Sequence, residues 1–582
     1  MPAYPRVVLS LPASADATMT HIAGIVRRHL TERCGTDLTT ATAGAPLTIT
    51  LALEPGIGAE GFRIADTPGG LRVAGHDHLG LLAGVGRLLH DARLEEGAVT
   101  PGPWRGVSVP QCPLRGIYCA LHNNWYVLAP PEDVYHYLED LGLWGINTIA
   151  FHLPQHEHAA APEAIARRQA NHALLRAARR AGLKVALLKE PNIGFCTAPE
   201  ALLAPPFPDT DPPRRGYAGT RICPSTPEGF QYLSRMLDDY LAGYEDVGVD
   251  YVVAFPYDSG GCGCARCWPW GARGYVTIAK EFARLTRARY PAAKFVLGAW
   301  CFDVLDTPDG EFDGLDRALR ADGGWADDIM ADSHDDFPAW PLEHGAPGGL
   351  PMINFAEISM WGRFPWGGYG ANPLPERHQR LWNQSKHLMS GGLPYSEGNF
   401  EDLNKVLFAR FFWDKETPVW RTVREYIAYE FSPEVVEPVA EAIALLEANY
   451  PREAWTMANA ERAWALLREA DSRLPERARR GWRWRILYLR ALIDVELLAH
   501  DNAVSDRCDA AYEELLDLLH LRDGWRCVAP PSRAYLTRHA AKLRGELPGL
   551  PPGADQGMVS ATADVVEEAL PPGAHAGTLA GE

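Results

Sequence analysis

Each of four short apolar segments is followed by an acidic residue, namely Asp258, Asp332, Glu357 and Glu397. The segments VVAF, DIMA, PMINF and GLPY have the length and composition of buried parallel strands. Acidic side chains at the carboxyl ends of such strands are typical of the catalytic groups of a (β/α)8 barrel. A pair of converging carboxylates can cleave a glycosidic bond, one as the acid and one as the base or nucleophile. The pattern therefore predicts sugar chemistry.

The four acids differ in the roles that we predict. Asp258 stands in AFPYDSGG, where apolar walls could raise its pKa and let it act as the general acid. An N-terminal cap is the alternative role for this residue. Glu357 or Glu397 would be the base or nucleophile, with Asp332 assisting. A carboxylate separation of about 5–5.5 Å would indicate retention and about 6.5–9.5 Å inversion, which the sequence alone does not decide.

Polar and aromatic residues near the strand ends suit the hydroxyls and ring faces of a sugar. The acid Glu357 leads into a loop of tryptophans and glycines, for which a surface patch is the alternative reading. Glu401 and Asp402 fall in the first turn of a helix and are interpreted as structural. The predicted substrate-binding residues are His122, Asn123, Asn124, Trp125, His152, Gln155, Lys189, Glu190, Asn192, Tyr257, Trp300, His334, Trp361, Trp366, Tyr395 and Asn399.

Three cysteines lie within six residues of one another, at Cys262, Cys264 and Cys267. Thiolates on a glycine-rich loop can share a tetrahedral zinc ion, and Cys223 is a candidate fourth ligand, with Cys196 and Cys301 as rivals. Such a closed site would be structural, and we expect catalysis to need no cofactor. Reduced thiols without metal are the alternative. The histidines of HLPQHEH match no common zinc spacing.

Alternating strands and helices from about residue 113 to 413 indicate parallel pairing. A doubly wound sheet is the alternative, but no glycine-rich phosphate turn follows the first strand. The predicted barrel strands are Arg115–Ala120, Thr148–His152, Val185–Lys189, Tyr251–Phe255, Phe295–Trp300, Asp328–Ala331, Pro351–Phe355 and Leu393–Tyr395.

Different patterns flank the barrel. Before it, short strands, a hairpin at Pro68-Gly69-Gly70 and a helix over 79–90 predict a small α/β domain. After it, helical spacing over 419–429, 435–449, 456–468, 476–499 and 502–519 predicts a helical domain. We therefore predict an N-terminal α/β domain over 1–108, a (β/α)8 catalytic barrel over 109–415, a helical domain over 416–547 and a disordered tail over 548–582.

Two segments carry a family resemblance. GFRIADTPGGLRVAGHDHLGLLAGVGRLL and REYIAYEFSPEVVE resemble the α/β domain and the helical tail of family 20 hexosaminidases and family 67 α-glucuronidases. The α-glucuronidase arrangement implies an acid after strand four, here Asp258, and water-activating carboxylates after strands six and seven, here Asp332 and Glu357. Family 20 enzymes carry Asp-Glu where this chain has Asp258-Ser259, which puts substrate-assisted hexosaminidase chemistry in doubt.

Composition narrows the classes of partner. A formal net charge of −18 disfavours binding to nucleic acid or to an anionic membrane. Residues 1–20 lack a basic stretch followed by an apolar core, so we expect a cytoplasmic protein. The oligomeric state is not readable, and a homodimer is one option. The sequence predicts an exo-acting glycoside hydrolase; a non-catalytic sugar-binding barrel and a metal-dependent sugar hydrolase or isomerase are the alternatives.

Overall fold

The computed structural model describes residues 2–120, 125–152, 162–193, 198–208, 221–257, 260–303, 311–359, 366, 371–450 and 454–520. The strands are β1 (Arg6–Ser10), β2 (Pro46–Leu53), β3 (Phe62–Thr67), β4 (Gly70–Gly75), β5 (Arg93–Glu95), β6 (Ala98–Thr100), β7 (Gly106–Ser108), β8 (Leu114–Cys119), β9 (Thr148–His152), β10 (Lys184–Lys189), β11 (Tyr251–Ala254), β12 (Lys294–Gly298), β13 (Asp328–Ser333), β14 (Met352–Ala356), β15 (Met389–Gly392) and β16 (Tyr395–Ser396).

The α-helices are α1 (Ala17–Cys34), α2 (His78–Asp91), α3 (Trp125–Leu128), α4 (Pro131–Leu143), α5 (Pro162–Arg180), α6 (Pro227–Ala242), α7 (Gly274–Arg289), α8 (Glu311–Ala321), α9 (Ala339–His344), α10 (Pro375–Ser385), α11 (Asp402–Trp413), α12 (Val419–Glu430), α13 (Val436–Ala448), α14 (Met457–Arg473), α15 (Glu476–Arg480), α16 (Trp482–Ala499) and α17 (Asp506–Leu518). Short 3₁₀ turns lie at Glu200–Leu202, Pro347–Gly349 and Pro433–Val435.

Strands β8 to β15 pair in parallel in chain order, and β15 pairs with β8 to close an eight-stranded barrel. Apolar side chains on alternate strand positions fill its interior, including Leu188, Phe255, Met330 and Phe355. The carboxyl ends of all eight strands therefore meet at one mouth. The predicted (β/α)8 barrel is confirmed, and seven of its strands begin within one residue of the predicted start.

The prediction for the eighth strand was wrong. The chain pairs with β8 earlier, over Met389–Gly392, and again over Tyr395–Ser396, instead of over Leu393–Tyr395. Gly391 has φ of 149°, and a Cβ there would lie 1.9 Å from the carbonyl oxygen of Leu114. Only glycine fits this close approach, and the apolar pattern used for prediction does not detect a glycine-rich strand.

The N-terminal region forms a five-stranded sheet in the order β1-β2-β4-β3-β7. β3 and β4 form the predicted antiparallel hairpin, with Thr67 opposite Gly70. Helix α2 packs on this sheet and on α4 of the barrel. A Cβ on Gly86 would lie 1.9 Å from the carbonyl oxygen of Leu143, so the small residues of α2 allow the two helices to approach closely.

Helices α12 to α17 follow the barrel. The longer helices α12, α13, α14, α16 and α17 pack each on the next, and the short α15 packs on α16. The single helix predicted over 476–499 is two helices, because Gly481 is extended with ψ of 140° between α15 and α16. The helix predicted from Asn502 starts later, since Asn502 has φ of 66° and Ser505 caps α17. Among the described residues, no helix is long and apolar enough to cross a membrane.

Candidate active site

Asp332 and Glu357 lie on neighbouring strands at the mouth of the barrel. Each stands two positions after a residue of the barrel interior, Met330 and Phe355 respectively. Because side chains alternate along a strand, both acids start on the interior side of the sheet. The Glu357 amide donates to the Ser333 carbonyl at 3.0 Å, which continues the pairing of β13 with β14 beyond the last strand residues. The sequence prediction that these acids converge is thus consistent with the register.

Asp332 is buried and engaged through one oxygen. Its Oδ2 lies 3.1 Å from Nδ1 of His334, while Oδ1 has no hydrogen-bond partner among the described residues. Burial acts to lower the pKa of His334, but the hydrogen bond with Asp332 and the charges of Asp332 and Glu357 outweigh it and raise that pKa. The raised pKa favours the protonated form of His334. Asp332 keeps one buried oxygen that the described residues leave without a hydrogen-bond donor.

Glu357 is held from both its side chain and its backbone. The Ser359 amide and hydroxyl each donate to Oε1 at 2.7 Å. Arg377 donates to the Glu357 carbonyl oxygen at 3.1 Å and also to the carbonyl of His334. The two donors hold Oε1 in place, so the carboxylate is positioned to act as a base or nucleophile.

Glu397 is fully buried beside β16. The Tyr395 hydroxyl donates to its Oε1, and Tyr395 forms a parallel bridge with Glu357. Burial, followed by the charges of Glu397 and Glu357, raises the pKa of Tyr395 well above its usual value. Tyr395 therefore contacts both glutamates, Glu397 through its hydroxyl and Glu357 through its backbone.

The backbone of Glu397 rests on a second buried acid, because its amide donates to Oε1 of Glu401 at 2.7 Å. Lys405 Nζ lies 3.4 Å from the other Glu401 oxygen, and both side chains are fully buried. This arrangement supports the prediction that Glu401 is structural.

Aromatic rings surround the acids at the end of the barrel core. Tyr395 contacts the rings of Tyr118 and Phe355, with centroids 5.5 and 5.9 Å apart. Phe255 contacts Phe355 at 5.6 Å and stacks on Trp300 at 5.2 Å. Trp300 is partly exposed, so its ring is available to a ligand at the mouth.

Several predicted binding residues have other partners in the structure. The Asn192 amide donates to the carbonyls of Ile222 and Gly261 and accepts from the Gly261 amide, so it braces the loop after β11. Trp366 is buried, and its indole donates to Asp494 at 2.7 Å in α16. Both side chains therefore make hydrogen bonds that stabilise the fold, and their role in binding sugar stays a prediction.

Lys189 and Tyr257 also turn toward the helical layer. Lys189 follows the interior residue Leu188, and its ammonium lies 5.1 Å above the ring of Tyr240 in α6. The Tyr257 hydroxyl donates to Glu311 of α8. Glu190, by contrast, occupies the next interior position of this strand end and is buried.

Two further predicted residues lie near Glu397 in the chain or in space. Trp125 is buried and packs edge-on against Tyr126 and Tyr137 at 5.1 and 5.2 Å. Asn399 is buried, and its Oδ1 has no hydrogen-bond partner among the described residues. The remaining predictions lie outside the described residues, or in the case of His152 have an undescribed side chain: His122, Asn123, Asn124, His152, Gln155, Asp258 and Trp361.

Arg377 is the site residue that sequence reasoning missed. It lies near the start of α10, where no strand-end signal marks it, yet its guanidinium joins the segments after β13 and β14. Burial lowers its pKa, while the charges of Glu357 and Asp335 act in the opposite direction. A basic residue two positions into a helix after a long loop is the only sequence signal, and it is a weak one.

The cysteine prediction can be located in the structure. The sulfur atoms of Cys223, Cys262, Cys264 and Cys267 all lie within 4.8 Å of one another. The rival Cys301 is not part of this group, and Cys196 lies outside the described residues.

The chain matches no protein-family model and no curated protein sequence. Many solved structures are similar to this chain, and two of them illustrate the shared fold. One is BtGH115A, a family GH115 4-O-methyl-α-glucuronidase with specificity for decorated arabinogalactans, with a TM-score of 0.55 and 13% identity over 89% of this chain and 76% of that chain. The other is a GH138 enzyme targeting pectin rhamnogalacturonan II, with a TM-score of 0.53 and 10% identity over 92% of this chain and 74% of that chain. At such identities the similarity establishes the fold alone, which this chain shares with these two glycoside hydrolases.

Proposed function

We propose that this chain is an exo-acting glycoside hydrolase. The observation that carries the proposal is the convergence of Asp332, Glu357 and Glu397 at the mouth of a closed barrel, beside an aromatic layer that ends in Trp300. Burying three acids at one mouth costs folding free energy, and a chain that keeps them is best explained by chemistry at that place. The exo mode rests on the sequence alone, in which residues 196–226, 301–325 and 361–377 form long segments between barrel strands; parts of all three lie outside the described residues.

The contacts support different catalytic roles for the acids. Asp332 offers a buried oxygen without a hydrogen-bond partner among the described residues, which could accept a proton from water. Glu357, with two donors fixed on Oε1, suits the base or nucleophile. Asp258, which follows β11 in the sequence and lies outside the described residues, is the proposed general acid. A fall in kcat of about 10²–10⁴ in Asp258→Asn would support this role, and an unchanged kcat would contradict it.

The two fold neighbours suggest which sugars to try first. BtGH115A is a glucuronidase and the GH138 enzyme targets a pectin, so uronides and acidic pectic fragments are the leading substrate classes.

The test is hydrolysis of aryl uronides, aryl N-acetylhexosaminides and neutral aryl glycosides by the purified full chain, followed by acidic pectic oligosaccharides. Release of single terminal sugars, insensitive to EDTA, would support an exo-acting hydrolase without catalytic metal. Calorimetric binding of a sugar without turnover of any substrate would overturn the proposal and favour the non-catalytic binding protein. Turnover abolished by a brief EDTA treatment that leaves any cysteine-bound zinc in place would favour the metal-dependent alternative.

A further inference from the structure

The four clustered cysteines come from two separate segments of the chain. Cys223 precedes α6, whereas Cys262, Cys264 and Cys267 lie in the loop between β11 and α7. The Cys223 sulfur is 3.7 Å from that of Cys264 and 4.0 Å from that of Cys267. Four ligand atoms thus converge on one point although the two segments are far apart in the chain.

The sulfur spacing discriminates between metal binding and disulfides. A tetrahedral zinc ion with Zn–S bonds of about 2.3 Å places its sulfurs about 3.8 Å apart. A disulfide would instead bring two sulfurs to about 2.05 Å and leave the other two apart. The sulfur–sulfur distances of 3.7 and 4.0 Å lie on either side of the tetrahedral value, so small side-chain adjustments would complete the coordination.

The surroundings also fit a closed metal site. Cys262 and Cys267 are fully buried and Cys223 nearly so. The Ser225 hydroxyl lies 3.0 Å from the Cys223 sulfur and 3.4 Å from that of Cys264, where it can donate to a thiolate. Hydrogen bonds to the ligating atoms of this kind orient the ligands of metal sites.

A buried cation lies next to the cluster. Arg221 is 3% exposed, and its Nε and Nη1 have no hydrogen-bond partner among the described residues. Four thiolates around one divalent ion leave a net negative charge, which the guanidinium two residues before Cys223 would offset. The same arginine beside four neutral thiols would be a buried charge with less compensation.

We propose that Cys223, Cys262, Cys264 and Cys267 bind one structural Zn²⁺. Each thiol releases its proton on binding and donates a sulfur lone pair to the metal, so no redox partner is needed. Four protein ligands leave no open position for substrate, and the ion fixes the loop after β11 to the segment before α6. Asn192 already ties that loop through Gly261, and the loop begins beside position 258. The metal would therefore hold in place the segment that carries the proposed acid, although the zinc proposal stands without the proposed function.

The test is metal content of the full chain expressed in zinc-containing medium, by inductively coupled plasma mass spectrometry. We expect one zinc per chain in the wild type and in the control Cys34→Ser, whose cysteine lies in α1 outside the cluster. Cys264→Ser, which changes the partly exposed ligand, should fall toward background. Wild type reconstituted with Co²⁺ should show the absorption of tetrahedral cobalt thiolate, which keeps the test decisive if the variant fails to fold.

Two outcomes would overturn the proposal. One is wild-type protein without bound metal that also fails to take up Co²⁺ or Zn²⁺ when its thiols are reduced. The other is mass-spectrometric detection of disulfides between the four cysteines in protein alkylated under native conditions. None of these readouts uses turnover, so failure of the zinc proposal and failure of the proposed hydrolase are distinguishable.

Discussion

Glu60 joins the N-terminal region to the amino-terminal end of the barrel, and its removal should lower the free energy of unfolding substantially. Its Oε2 accepts from Arg115 at 2.6 Å and from Asn147 at 2.7 Å, while Lys184 reaches Oε1 at 2.6 Å. The side chain of Arg115 is 2% exposed and that of Glu60 is 11% exposed. Glu60→Ala would thus leave a guanidinium buried without its counter-charge.

Breaking a buried pair on one side costs about 3–5 kcal/mol. We expect the lower end, because Arg115 keeps the carbonyls of Gly145 and Cys112 as acceptors. The matched control is Glu54→Ala in the same domain, which removes a 29% exposed partner of both Arg63 and Arg72 and should cost about 0–1 kcal/mol. Calorimetric melting should separate the variants by several degrees, since about 2–4 °C corresponds to 1 kcal/mol in large domains.

The effect should also depend on pH with a definite sign. Burial acts to raise the pKa of Glu60, but the charges of Arg115 and Lys184 outweigh it and lower that pKa. The stability from this carboxylate is therefore present above its ordinary pKa of 4.5 and is lost as pH falls below it. Equal melting temperatures for Glu60→Ala and Glu54→Ala at neutral pH would refute the reasoning.

Three other changes separate structural from functional roles. At pH values below 6.5, His334→Asn should lower the melting temperature by a small amount, and at alkaline pH it should have no effect. The reason is that a histidine with a raised pKa stabilises the fold only while its ring is protonated. An effect confined to alkaline pH would contradict this. Trp300→Ala should raise KM roughly tenfold, which corresponds to a loss of about 1.4 kcal/mol of binding free energy. Trp366→Phe should instead leave KM unchanged and lower the free energy of unfolding by about 1–3 kcal/mol, because the hydrogen bond to Asp494 is lost. Gly391→Ala should cost roughly 3 kcal/mol or more, measured by denaturant unfolding, because its Cβ would meet the Leu114 carbonyl; an unchanged midpoint would show that the barrel closes differently.

The barrel and its acids were predictable because both depend on local pattern. A buried parallel strand is a short apolar run, and an acid directly after it must lie at the mouth, as Asp332 and Glu357 do. Cys223 was one of three candidates for a fourth zinc ligand, and the structure brings it to the other three cysteines although it lies far from them in the chain. Zinc binding itself stays a prediction.

Long-range contacts set the limit of prediction. The role of Trp366 in sugar binding stays a prediction, but no local pattern indicated the contact of its indole with Asp494, 128 residues away. The same holds for Asn192, whose hydrogen bonds to the loop at Gly261 were not predicted. Arg377 was missed for the same reason, since its acceptors are backbone carbonyls of distant segments.

The most direct test of the central claim is the turnover number of Glu357→Gln on the best glycoside found for the wild type. Glu441→Gln is the control, because Glu441 lies in α13 and pairs only at the surface with Arg462 among its described ion-pair contacts. Loss of an essential base should lower kcat by about 10²–10⁴ while the control keeps its activity. Unchanged kcat in Glu357→Gln, and likewise in Glu397→Gln and Asp332→Asn, would contradict a mechanism that depends on the carboxylates at this mouth.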